Sequence, residues 1–121
     1  MLRDFRLYLD DILEAIQQIR AYVADQSEEA FSKDRKTQDA VIRNLEIIGE
    51  AAGKIPERIQ AAEPQIDWRK ITGLRNILIH EYFGINLPIV WDVIQTKIGP
   101  LEAVCRRLLE KASELPEQEI Q

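Results

Sequence analysis

Apolar residues recur every three or four positions along most of this chain, which is the spacing of one face of an α-helix. The first such stripe consists of Phe5, Leu9, Ile12, Ile16, Ile19 and Val23. A later stripe consists of Val41, Leu45, Ile48, Ala52 and Ile55. No segment alternates strictly between apolar and polar residues, as β-strands do. The pattern therefore predicts an all-α fold.

Capping residues and prolines divide the first half of the chain. Ser27 is a suitable N-cap for a short helical turn that extends through Phe31. A second long helix is predicted from about Lys36 to Lys54, because Pro56 cannot continue it. The stretch 56–64 is interpreted as a short helical turn or loop.

The second half of the chain predicts two further main helices. The third is expected to begin at Asp67, an N-cap residue, and to end at Gly84. Asn86 is expected to cap the fourth, which runs to about Ala112 and kinks or breaks at Gly99–Pro100. Four main helices with short connections predict a helical bundle.

A length of 121 residues predicts one domain, here assigned to residues 1–113 with a polar tail at 114–121. No apolar run is long enough to span a membrane and the N-terminus lacks a signal-peptide pattern, so a cytoplasmic location is expected. The net charge of −5 argues against broad, nonspecific nucleic-acid binding but leaves room for a small RNA site. The single cysteine, Cys105, is expected to be a buried apolar residue.

The segment from Gly73 to Gly84 contains the only histidine, His80, and three polar residues suited to chemistry: Arg75, Asn76 and Tyr82. A lone histidine on a helix is more often structural, but these neighbours favour a functional site. On a helix, Asn76 lies one turn from His80, whereas Arg75 lies about 140° around from it. Tyr82 is only about 20° from Arg75. Arginine and histidine therefore converge only if the helix unwinds locally or a second chain contributes.

Metal-free RNA cleavage is the chemistry that these residues fit best. His80 can donate or accept a proton near neutral pH. Arg75 can hold two phosphate oxygens, and Asn76 can orient the phosphate or the imidazole. A metal site is disfavoured because no second histidine exists to complete a set of ligands. One histidine cannot easily serve as both acid and base, which favours a two-fold dimer.

The residues from Arg75 to Tyr82 match the R-x-x-x-x-H-x-Y form of the HEPN motif. The segments Ala40–Ala51, Asp10–Glu14 and Val90–Trp91 resemble their counterparts in the HepT toxins. The resemblance extends from about Arg3 to Leu109. It implies a HEPN-type helical bundle of four main helices plus short helical turns, assembled as a dimer.

The resemblance also implies a function, the toxin of a type VII-like toxin–antitoxin system. Such a toxin is a metal-independent endoribonuclease that needs no cofactor, with Arg75 and His80 as the catalytic pair and Asn76 in support. The implied partner is an MntA-like nucleotidyltransferase antitoxin, which neutralises the toxin by transferring AMP from ATP to Tyr82. The alternative is a noncatalytic docking or substrate-binding subunit of a nucleotidyltransferase.

Other polar and aromatic residues allow two interpretations. Arg43 and Glu46 are three positions apart and thus neighbours on the second helix, where they form either an exposed charged face or part of the dimer cleft. Trp68 and Trp91 are expected to be packing residues rather than platforms for RNA bases.

Overall fold

The computed structural model describes residues 4–74, 76 and 86–113. Across these residues the chain is helical without any strand, which confirms the all-α prediction. None of the described helices is both long and apolar enough to cross a membrane. The helices are α1 (Phe5–Val23), α2 (Glu28–Ser32), α3 (Arg35–Ala52), α4 (Glu57–Ala61), α5 (Trp68–Thr72), α6 (Leu87–Thr96) and α7 (Ile98–Ser113).

The core forms where α1 packs along α3 and α7. Every residue of both predicted stripes is buried. Burying a large aliphatic side chain such as Leu9 or Ile16 contributes about 1.5–3 kcal/mol, so these stripes hold the long helices together. The periodicity therefore identified the helix faces correctly.

Helix starts follow the predicted capping residues. The side chains of Ser27, Asp67 and Asn86 accept hydrogen bonds from backbone N–H groups three positions later, at 3.1, 3.2 and 3.2 Å. Asp34, which the sequence analysis did not identify, caps α3 in the same way at 3.0 Å. As a result α3 begins at Arg35, one residue before the predicted start.

The expected unbroken third helix is wrong at Gly73. Helix α5 ends at Thr72, and Gly73 closes it by donating its backbone N–H to the Arg69 carbonyl at 2.9 Å. Leu74 and Asn76 are helical again. Glycine has a low helix propensity, which explains why the backbone departs from the helix at this position. The remainder of the predicted helix, up to Gly84, lies outside the described residues.

The predicted break in the last helix is confirmed, two residues before the expected position. Helix α6 ends at Thr96 and α7 begins at Ile98, so the interruption falls on Lys97. Pro100 then lies in the first turn of α7, where a missing backbone N–H costs no intrahelical hydrogen bond.

Candidate active site

Part of the predicted motif is described by the structure. Asn76 is helical and exposed, and it follows Leu74, which is buried. Arg75, His80 and Tyr82 lie outside the described residues. The site is therefore defined here by the segments that lead into and out of the motif.

The segment leading into the motif is held close to α3 by a glycine. A Cβ atom on Gly49 would lie 3.1 Å from the backbone oxygen of Ile71 and 3.8 Å from the Cβ of Leu74. Only the absence of a side chain lets the backbones of α3 and α5 approach this closely. The sequence analysis gave Gly49 no role, although a glycine within a strongly periodic helix was a usable signal.

The segment leading out of the motif is fixed at the start of α6. Asn86 caps this helix, and Val90 is fully buried one turn later. Trp91 packs its ring on Phe31 of α2, with ring centroids 5.4 Å apart and a tilt of 39°. Trp91 is therefore a packing residue, as predicted.

Trp68 at the start of α5 is also a packing residue. Its side chain is buried, and the indole Nε1 donates to the backbone carbonyl of Glu63 at 3.0 Å. Both ends of the motif segment are thus attached to the core through an aromatic residue.

A groove of about 490 Å³ runs between α5 and α6, and its lining residues precede and follow the motif in the sequence. Its apolar lining includes Ile66, Ile71, Leu74, Ile89 and Val93, and its charged lining consists of Asp67, Lys70, Asp92 and Lys97. Two acidic and two basic side chains leave these lining residues without net charge.

Arg43 and Glu46 form an ion pair on α3, with Arg43 Nη1 3.8 Å from Glu46 Oε2. The Arg43 side chain is 70% exposed and the Glu46 side chain 26%. At 100° per residue, Glu46 lies about 60° and Arg43 about 120° around α3 from Gly49, which faces α5. Glu46 is thus on the side of α3 nearer α5. That the two residues line a cleft stays a prediction.

The other potentially reactive side chains have structural roles. Burial raises the pKa of the Cys105 thiol to about 12, and Glu102 nearby adds to the effect. Cys105 is therefore a core residue, as predicted, and not a nucleophile. Among the described residues no three histidine, cysteine or acidic side chains cluster as metal ligands would.

The arrangement defines a class of protein: a helical bundle whose core-anchored helices precede and follow a polar motif in the sequence. Comparison with known families specifies the class, because the family model described as "Ribonuclease HepT-like" matches residues 12–108. The chain belongs to the ribonuclease HepT-like family. This match confirms the HepT resemblance that the sequence motifs indicated.

Several curated relatives agree with this assignment. A "putative RNase" of Methanocaldococcus jannaschii is 46% identical over 96 residues, which is 79% of this chain and 79% of the relative. A "probable ribonuclease HepT" of Thermococcus cleftensis is 41% identical over 108 residues, or 89% of this chain and 98% of the relative.

A third relative has a composite name. It is a "gamma-glutamylcyclotransferase and putative RNase" of M. jannaschii, 37% identical over 111 residues, or 92% of this chain and half of the relative. No solved structure matches the chain.

Proposed function

We propose that this protein is a metal-independent endoribonuclease and the toxin of a type VII-like toxin–antitoxin system in the cytoplasm. The observation that carries the proposal is the family match over residues 12–108, a range that spans the Arg75–Tyr82 motif of the sequence. Asn76 supports it, because this helical residue is exposed and therefore available to a substrate.

The proposed reaction is an attack of the ribose 2′-oxygen on the adjacent phosphorus. A new 2′-O–P bond forms and the P–O5′ bond breaks, which leaves a 2′,3′-cyclic phosphate and a free 5′-hydroxyl. His80 transfers a proton to or from a reacting oxygen. Arg75 binds the phosphate oxygens as negative charge develops on them, and Asn76 orients the phosphate or the imidazole. No metal or cofactor takes part in these steps.

A homodimer completes the site in this proposal. The attacking oxygen must lose a proton and the leaving oxygen must gain one, but each chain has a single histidine. A two-fold axis places two copies of the motif in one cleft, so that both His80 side chains are present. Arg43 and Glu46 are proposed to line that cleft.

An MntA-like nucleotidyltransferase is the proposed antitoxin. The Tyr82 hydroxyl oxygen bonds to the α-phosphorus of ATP, and pyrophosphate leaves. On the predicted helix Tyr82 lies about 20° around from Arg75, so the negative phosphodiester of the added AMP competes with RNA phosphate for the arginine. A docking subunit without catalytic activity is the alternative, and for that role Arg75 and His80 would be dispensable.

Expression in a bacterial host tests the proposal. The wild type is expected to arrest growth, and His80→Ala to abolish the arrest while the protein still binds the nucleotidyltransferase. Co-expression of the nucleotidyltransferase should restore growth and add the mass of one AMP group, which Tyr82→Phe should prevent. Tyr22→Phe is the matched control, since Tyr22 is an exposed tyrosine on α1. Arrest that persists in His80→Ala would contradict the catalytic assignment.

A further inference from the structure

Glu63 is the one charged side chain among the described residues that is buried, and it lies in the linker between α4 and α5. Its side chain is 4% exposed. The carboxylate accepts hydrogen bonds from Gln65 Nε2, at 2.7 Å, and from Arg107 Nη2 on α7. Lys111, one turn further along α7, adds a favourable charge. The buried Glu63 carboxylate therefore connects the linker that precedes α5 to α7, a helix distant in the sequence.

Stability alone does not explain a buried charge at this position. Taking a carboxylate out of water is costly, and an apolar side chain of similar size often stabilises a protein as well or better. A hydrogen-bonded ion pair fixes direction, because donor and acceptor must meet at a defined distance and angle. In this protein the ion pair between Glu63 and Arg107 fixes the orientation of the α4–α5 linker relative to α7.

The orientation of the linker determines that of α5. The Glu63 carbonyl accepts the hydrogen bond from the Trp68 indole, at 3.0 Å, and Trp68 is the first residue of α5. This helix has five residues, too few to be stable without tertiary contacts. The position of α5 therefore depends on its close approach to α3 at Gly49 and on the hydrogen bond that Trp68 donates to Glu63.

Helix α5 ends three residues before Arg75, the first residue of the motif. Leu74, which is bonded to Arg75 in the chain, is buried beside Gly49 and so belongs to the contact between α3 and the end of α5. A shift of α5 would therefore act on the residue that precedes Arg75. A displacement of about 1 Å at a catalytic group can lower a rate by on the order of a hundredfold.

We propose that Glu63 and Arg107 are positioning residues, whose ion pair orients α5 and thereby sets Arg75 for catalysis. The inference rests on the proposed ribonuclease function. Neither residue needs to touch RNA. Removal of the pair should lower kcat for RNA cleavage and leave KM almost unchanged, because RNA still binds but Arg75 is displaced from the reacting phosphate.

The test compares Glu63→Met with Glu102→Met in the full-length protein. Glu63 is replaced rather than Arg107, since Arg107 is 44% exposed and can be solvated without its partner. Glu102 is the matched control: its carboxylate is paired with Arg20 of α1 at 2.6 Å and Arg106 at 3.3 Å, and it bridges α1 and α7. Each variant loses a carboxylate that is at least partly buried, but only Glu63→Met changes the linker between α4 and α5.

The kinetics of RNA cleavage and backbone amide hydrogen exchange are measured for each variant. The temperature is kept below the melting temperatures of both Glu63→Met and Glu102→Met. For Glu63→Met, kcat is expected to fall about tenfold to a hundredfold with KM changed less than about twofold. Backbone amide hydrogen exchange at Ile71 in α5 and at Gly73, the residue that caps its C-terminus, should accelerate, because their hydrogen bonds open more often. Glu102→Met should leave both quantities near wild type. Glu63→Gln, which keeps an acceptor for Arg107, should be intermediate in kcat.

The outcomes separate the two proposals. Faster α5 exchange in Glu63→Met with an unchanged kcat would show a purely structural ion pair and overturn the positioning role. Unchanged exchange would overturn it as well. If the wild type itself does not cleave RNA, the ribonuclease function fails, and exchange alone decides whether Glu63 orders α5.

Discussion

At the scale of single residues, Glu63 shows how hydrogen bonds keep a buried carboxylate charged. Burial raises the pKa of Glu63, but the hydrogen bonds from Gln65 and Arg107 and the charges of Arg107 and Lys111 outweigh it. The pKa is therefore lower than the ordinary value of 4.5. A lowered carboxyl pKa means that the charged form is better stabilised in the folded protein than in the unfolded chain.

The sign of this shift predicts a pH dependence of stability. Glu63 contributes its full stabilisation above about pH 4.5, its ordinary pKa, and loses it as the pH falls through the lower folded value. The free energy of unfolding, measured in urea at a series of pH values, should therefore fall less steeply below that pH in Glu63→Gln than in the wild type. Parallel curves for the two proteins would show that Glu63 does not have a lowered pKa.

The burial of a residue was predictable from the sequence only where its neighbours along the same helix determine it. Cys105 was expected to be buried because Val104, Leu108 and Leu109 surround it on its own helix, and it is. The partner of Glu63, Arg107, is 44 positions away, and no local pattern connects the two. The burial of Glu63 depends on how α7 packs, which the sequence alone does not specify.

At the scale of helices, the approach of α5 to α3 depends on one missing side chain. Gly49 faces the backbone of α5, and a methyl group there would be 3.1 Å from the Ile71 oxygen. Gly53, one turn later on the same side, has room, since its nearest neighbour would be 3.5 Å away. The two glycines therefore provide a matched pair for measuring this contact.

Gly49→Ala is expected to destabilise the protein by about 1–2 kcal/mol. Overpacking against a backbone costs about 1–3 kcal/mol, which exceeds the gain of roughly 1 kcal/mol in helix propensity. Gly53→Ala should have little effect or stabilise the protein by up to about 1 kcal/mol, since Gly53, the C-cap of α3, has a backbone conformation that alanine also adopts and the substitution lowers the entropy of the unfolded chain. Urea unfolding of both variants checks this. Equal stabilisation by both would mean that α5 can move away from α3 at no cost.

Helix ends were predicted where caps and prolines mark them and missed where periodicity continues across a break. Helix α1 begins and ends with its predicted stripe, Phe5 to Val23. The interruption at Gly73 was missed because Ile71 and Leu74 keep the helical spacing on either side of it. A single glycine is compatible with a continuous helix, so the sequence did not mark Gly73 as the end of α5.

At the scale of the whole molecule, an acidic helical bundle is proposed to act on an acidic polymer. The net charge of −5 repels RNA overall, so binding must depend on a local concentration of basic groups. On α5, Arg69 and Lys70 are exposed six and five residues before Arg75, but Lys70 lies 3.9 Å from Asp67, and we expect Arg75 rather than this pair to hold the reacting phosphate. The family and the fold followed from the sequence, while the catalytic roles of Arg75 and His80 stay predictions.

The most direct test of the central claim is RNA cleavage in excess EDTA by purified wild type, Arg75→Ala, His80→Ala and Arg69→Ala. Each protein is first shown by circular dichroism to be folded and by mass to lack AMP on Tyr82. Arg69→Ala is the control for loss of a basic residue outside the motif. The wild type and Arg69→Ala are expected to cleave and leave 2′,3′-cyclic phosphate ends, while the two motif variants lose at least about a hundredfold in rate. Equal cleavage by all four proteins, or none by the wild type, would contradict a metal-independent ribonuclease built on Arg75 and His80.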